Sequence, residues 1–232
     1  NVMNPNATIG DEDLNEDAYI AAKFSKEIKS NHTEIEITPS TIIDYWEDAL
    51  KFIEEPMYNW ELPMVYFTNQ YLSHKNITIT MSGDIGDEIL GGYHGYFLFN
   101  SLNKQIELEN RKITWKKFLR MWMNKYKNPL QLRLNIGDED LLNILEKKLP
   151  QSLWNPADLG NTAMALDCVT TVSENYFKRN DRFGMAFSME GRFPLSSKKL
   201  MEYCLGIHSN EKYGDSSSLN KVPIRTSYNH KI

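Results

Sequence analysis

The segment Ser82-Gly83-Asp84-Ile85-Gly86-Asp87-Glu88-Ile89-Leu90-Gly91-Gly92-Tyr93 gathers most of what could do chemistry. Gly83 and Gly86 let a backbone turn sharply and bring N–H groups close to a ligand. Successive N–H groups at a helix start attract anions such as phosphates. Three carboxylates, Asp84, Asp87 and Glu88, repel a bare phosphate but suit one carried with Mg²⁺, whose hard oxygen ligands they supply. An acid left over from metal binding could act as a base. The other reading is a well-capped strand–turn–helix whose acids satisfy backbone N–H groups, and spacing alone leaves both open. The segment is neither a Walker A loop nor a GxGxxG fingerprint.

The elements around it must position it. Ile77–Met81 is a β-branched run ending at Ser82-Gly83, so the loop leaves a strand and opens a helix. Upstream, Ala7-Thr8-Ile9 reads as a short strand. Asp13 and Asn15 cap a helix whose Ala18, Ala21, Phe24 and Ile28 follow helical spacing. Thr33–Ile37 alternates as a strand does. Thr38-Pro39 starts a helix with a buried stripe of Ile42, Ile43, Trp46, Leu50 and Ile53, and Pro56 ends it. A further helix covers Pro63–His74. Strands separated by helices predict βαβ units, an α/β fold with a parallel sheet, and ligands at the carboxyl ends of its strands. From Tyr93 onward the pattern is helical, over Trp115–Tyr126, Asp138–Lys148, Ala163–Phe187 and Lys198–Leu205, with no strand. This places an α/β part at 1–92 and a helical part at 93–232. The basic stretch Arg111–Lys127 reads as a solvated face over a Trp/Met stripe. Ile-Gly-Asp-Glu recurs at Ile9, Ile85 and Ile136; none fits an EF-hand, and the outer two read as helix entries.

Composition excludes several classes. The 232 residues are 41% hydrophobic and 25% charged, which is globular and not disordered. A net charge of −5 and a pI near 5.6 argue against a general nucleic-acid binder. No run of about 18 apolar residues offers a membrane span. Cys168 and Cys204 make no CxxC pair or disulfide framework, which points to a reducing, cytoplasmic setting. Met64, Met121, Met123, Met185 and Met189 are expected in the core, with Phe183 and Phe187 packing nearby.

The loop resembles the second signature of the synthetase domain of asparagine synthetases, members of the ATP-pyrophosphatase group. Other stretches agree in order. They are Ile9-Gly10 with Asn15-Glu16 and Ala21; His32-Thr33-Glu34; Glu54-Glu55-Pro56 with Pro63; Asp181-Arg182-Phe183-Gly184-Met185-Ala186 through Glu190, Arg192 and Pro194; and Lys221 to Arg225. The resemblance implies an ATP-pyrophosphatase-type sheet followed by a mostly helical half. It implies ATP-driven activation of a carboxylate, usually the aspartate side chain, as an acyl-adenylate with loss of pyrophosphate, then amidation by ammonia. It assigns Ile9, Ser82 and Gly83 to ATP, Asp87 to Mg²⁺, Asp84 to the intermediate and the attacking amine, and Lys221 to phosphate charge. Arg179 is assigned as a bidentate clamp for the substrate carboxylate, with Arg182 beside it. Arg182, Glu190 and Arg192 also suit an ion-pair network joining helices.

Three departures accompany the match. The family's first phosphate loop, Ser-Gly-Gly-x-Asp-Ser, would precede Asn1 and is absent. So is the glutaminase domain, which would then be a separate domain or chain. The family's Pro-Phe-Leu-Asp becomes Pro194-Leu195-Ser196-Ser197. The expectation is that these residues alone have little or no synthetase turnover, and that lacking the first strand leaves a sheet edge or core face exposed. Two other functions stay open: a tailoring amide or lactam synthetase acting on another carboxylate, and a non-catalytic remnant that binds a nucleotide or protein partner.

Overall fold

The computed structural model describes residues 16–55, 59, 61–125, 138–214 and 219–228. The expected strand at Ala7–Ile9, the caps Asp13 and Asn15, the expected nucleotide contact Ile9, Pro56, and Ile136 and Gly137 of the third repeat lie outside these residues. The architecture is α/β, mostly helical, with a small parallel sheet. The chain divides into two compact units, 1–80 with 179–190, and 81–178 with 191–232. The division is therefore not a single point along the sequence.

The first unit holds α1 (Glu16–Glu27), α2 (Pro39–Ile53) and α3 (Leu62–His74). Thr38 and Thr41 form a reciprocal capping box, and Pro39 occupies the first turn of α2. Glu54 stops α2 in the left-handed region at φ 58°. Ala49 and Ile53 bury against Leu62 and Tyr66 of α3, with Phe183 completing the cluster. The stripe on α2 is narrower than its sequence suggests, because Ile43 and Leu50 face outward. On α1, Phe24 and Ile28 are likewise exposed. Thr33–Ile37 is not a strand: Ile37 is buried and Ile35 half-buried, as alternation predicts, but no neighbouring strand pairs with the segment among the described residues. Alternation buries one face; only a ladder partner makes a strand.

Two short strands form the sheet: β1 (Ile79–Met81) and β2 (Glu190–Arg192). Glu190 N–H donates to Thr78 O, and Ser82 N–H to Arg192 O, a parallel register. The sequence reading missed β2. Ile77, Ile79 and Met81 are exposed.

The second unit begins with α4 (Gly86–Leu90), then α5 (His94–Leu108), α6 (Trp115–Lys125) and α7 (Asp138–Lys148). The reading from sequence missed α5. Next comes α8 (Leu159–Asp167), which widens into a π-helical stretch, Cys168–Phe177, and continues as α9 (Lys178–Ala186). After β2 follow α10 (Lys198–Gly206), α11 (Ser209–Lys212) and α12 (Val222–Tyr228). One core packs Tyr96 and Phe99 of α5 against Trp115, Phe118, Leu119 and Trp122 of α6, with Leu142 and α8. Asp167 stands at its centre, 1% exposed, accepting hydrogen bonds from the Tyr96 hydroxyl and from Trp122 Nε1. The basic face of α6 is solvated as expected: Lys116 and Arg120 pair with Glu146 and Glu139 of α7. Met189 is buried and Met121 and Met123 pack on the core, but Met185 is 65% exposed, because it lies on the outer side of α9 from Phe183. Cys168 and Cys204 are free thiols in a second core with Ile85, Ile89 and Leu90.

Lys212 is a fully buried cation whose Nζ donates to Asn161 Oδ1 at 2.6 Å. Burial pushes its pKa down to about 8, partly opposed by the charge of Asp158. Between pH 8 and the ordinary lysine value, the unfolded chain therefore binds more protons than the folded one. The Lys212 contribution to stability therefore rises with pH in that window. Burial pushes the Cys168 thiol up to about 12, so ionisation of the unfolded thiol near its ordinary value of 9.0 works in the opposite direction. Urea melts should show a net gain of somewhat under about 1 kcal/mol from pH 8 to 9, turned into a small loss in Lys212→Met.

Candidate active site

The loop behind β1 is built by hydrogen bonds that the acids and glycines alone do not reveal. Asp84 N–H donates to Ser82 Oγ at 3.2 Å, and Gly86 N–H to Gly83 O at 3.2 Å. With Ser82 N–H spent on Arg192 O, three N–H groups that an anion would need are already used. Neither Gly83 nor Gly86 makes the left-handed turn. Ile85 makes it, at φ 72°, while 1% exposed. A β-branched residue in that region is strained by about 1–3 kcal/mol. Burial of its side chain beside Ile89, Leu90 and Val172 supplies the compensation.

The three acids diverge. Glu88 turns inward and is 1% exposed, with Oε1 unpartnered. Burial pushes its carboxyl up to about 7; the neighbouring Asp87 charge adds to this, while a hydrogen bond from Tyr93 opposes it. It is not available to share a metal with Asp84 and Asp87, because packing holds it on the core side of α4 in spite of the desolvation penalty. Among the described residues no three His, Cys, Asp or Glu side chains converge as a metal cage. Asp84 and Asp87 stay half-buried at the surface.

Asp87 meets Lys221. Its Oδ1 lies 2.7 Å from Lys221 Nζ, although 134 positions separate the two residues, 221 less 87. Both side chains are about one-third exposed, and such an ion pair adds only about 0–1 kcal/mol to stability. Lys221 adopts φ 53°, a second strained position beside the same pair. The space for the pair is left by Gly92. A Cβ there would fall 1.5 Å from Asp87 Oδ1 and 2.6 Å from Lys221 Cε. Gly91, at φ 75°, ends α4, and its N–H closes the turn onto Asp87 O. The sequence reading quoted Gly92 only as a member of the loop segment; its close approach was not legible there.

Ser82, Gly83, Asp84, Asp87 and Lys221 thus belong to one unit. Arg179 and Arg182 belong to the other, one helical turn apart on α9. Arg179 is 6% exposed and pairs with Glu61, which precedes α3; Arg182 pairs with Glu54, which ends α2. The two arginines fasten both ends of the 54–61 connection. Of the residues expected to form an ion-pair network, Arg182 pairs with Glu54.

Comparison with known proteins gives a consistent family. The family model described as Asparagine synthase matches residues 6–230. The chain is similar to asparagine synthetase (glutamine-hydrolyzing) 3 of Bacillus subtilis (strain 168), 23% identical over 219 residues, covering 86% of this chain and 33% of the relative. The chain thus spans about one-third of that relative's length. No solved structure matches. The matched region takes in the acidic loop, the ion-paired lysine and both arginines, and the chain belongs to the asparagine synthase family of ligases, through its synthetase domain.

Proposed function

We propose that this chain carries the amide-forming site of an ATP-dependent synthetase with aspartate as the carboxylate. In the reaction, a carboxylate oxygen attacks the α-phosphorus of ATP and the bond to pyrophosphate breaks, giving an acyl-adenylate. Ammonia then attacks the acyl carbon, AMP leaves, and the nitrogen loses a proton to yield asparagine. The observation that carries this reading is the 2.7 Å pairing of Asp87 with Lys221. Structural stability gives little reason for it, and two strained backbone positions flank it. Lys221 supplies positive charge where phosphate charge develops, the kind of preorganised interaction that dominates such sites. Asp84 serves the intermediate and the amine, and Ser82 and Gly83 serve the nucleotide. Arg179 and Arg182 are the proposed contacts of the substrate carboxylate, as the sequence assigns them.

The donor set fits Mg²⁺ brought by a nucleotide and not a protein cage. Mg²⁺ takes one or two carboxylates, and phosphates and water complete its shell. Asp87 is the residue to hold it, where it would neutralise phosphate charge. The parallel pair of strands is consistent with an ATP-pyrophosphatase-type sheet, with the α/β part at 1–92 and helices at 93–232. Ammonia would come from a glutaminase domain or chain. No helix among the described residues is long and apolar enough to cross a membrane, and the cytoplasm is the proposed setting.

The test is ATP–pyrophosphate exchange by the complete gene product with a panel of carboxylic acids. Aspartate should support exchange, and Lys221→Met should lower it about 10²-fold. Exchange with a different acid alone would reassign the substrate. No exchange with any acid would remove the synthetase reading.

A further inference from the structure

We propose that Asn220 and Arg225 are positioning residues that hold Lys221 in place against Asp87. The functional consequence rests on the reading of Lys221 given above; the geometry does not. Lys221 sits at φ 53°, in the left-handed region, which costs a non-glycine residue about 1–2 kcal/mol. The constraint is visible on both sides of it. Asn220 Nδ2 donates to Gly92 O at 2.7 Å, tying the lysine's loop to the residue that makes room for the pair. Arg225 Nε donates to Asn220 O at 2.8 Å, and its terminal nitrogen to Asn220 Oδ1 at 3.2 Å. The N–H groups of Ile224 and Arg225 both close onto Lys221 O at 3.1 Å. The carbonyls of residues 220 and 221 are thus both held by the first turn of α12.

The Asn220 amide has one orientation that satisfies both neighbours. Arg225 is purely a donor and must face Oδ1; Gly92 O is purely an acceptor and must face Nδ2. The guanidinium also polarises the amide, which strengthens the donation to Gly92. An aspartate of the same shape keeps the Arg225 side but sets an oxygen against the Gly92 carbonyl. Asn220→Asp therefore breaks one link and leaves the rest. The device explains why Lys221 and Arg225 sit four residues apart: one places charge, and the other anchors the residue that carries it.

The test reads the lysine directly. The complete gene product is treated with a lysine-acetylating ester, and the rate at each lysine is followed by mass spectrometry. Lys198, 87% exposed, serves as the internal reference. Asn220→Asp should raise the Lys221 rate about three- to tenfold, the equivalent of one lost hydrogen bond, with Lys198 unchanged. Arg225→Leu, at an exposed position, should raise it about twofold. An unchanged Lys221 rate in both variants overturns the proposal, as does an equal rise at every lysine. Equilibrium dialysis of MgATP on the same samples separates the two readings. A freed Lys221 with unaltered nucleotide affinity supports the clasp and removes the phosphate role of Lys221.

Discussion

Replacing Gly92 with alanine should lower ATP–pyrophosphate exchange about 10³-fold while leaving the far-UV circular dichroism unchanged. The added methyl group would lie 1.5 Å from Asp87 Oδ1 and 2.6 Å from Lys221 Cε, so the two side chains cannot both stay. A misplacement of about 1 Å can cost about 10²-fold where geometry governs the rate. Here both members of the pair move, so the loss should exceed that of Lys221→Met. The backbone has no comparable objection, because Gly92 is not in the left-handed region. The decisive comparison is made in an Asp87→Ala background. With the carboxylate gone, Gly92→Ala should add little further loss, since the clash it creates is largely with that group. Equal penalties in both backgrounds would show that Gly92 acts through something other than the pair.

The largest effect on stability should come from Asp167→Ala. The carboxylate is 1% exposed and accepts from Tyr96 and from Trp122, both in the main core of the second unit. Truncation strands two buried donors, each worth about 1–3 kcal/mol. A total of about 2–6 kcal/mol corresponds to a fall in Tm of roughly 5–20 °C for a chain of this size. Thermal melts of Asp167→Ala and Asp167→Asn check it. The asparagine variant keeps one acceptor oxygen and should lose about half as much. Losses under 1 kcal/mol would mean that water replaces the carboxylate.

These two positions differ in how far the sequence discloses them. Helix α2 was legible because its start signal, Thr38-Pro39, is local chemistry, and the capping box forms there. β2 was not: Glu190-Gly191-Arg192 has no β-branched residue, and it is a strand only because Ile79–Met81 lies beside it. Thr33–Ile37 errs the other way, with strand-like alternation and no strand partner among the described residues. Helix α5 escaped notice because it opens at His94-Gly95 without a side-chain cap. In the loop, residue types announced phosphate and metal chemistry, and the family resemblance singled out Asp87 and Lys221; the structure brings these two together. Spacing could not foretell that Glu88 turns into the core. An acid among acids reads as solvated, and burial is decided by packing from α8 and the π-helical stretch, about 80 residues away in sequence.

Ile85 carries a consequence for how this loop can vary. Its backbone favours glycine, while its side chain fills a slot in the second core. Glycine there would relax the torsion and empty the slot; leucine would fill the slot and keep the torsion; asparagine would ease the torsion and bury an amide among hydrocarbons. No residue answers both demands, so random mutagenesis at this site should return almost nothing fitter than the occupant. Adaptation of the loop to a new acid would then have to travel through its neighbours, with position 85 as the fixed pivot.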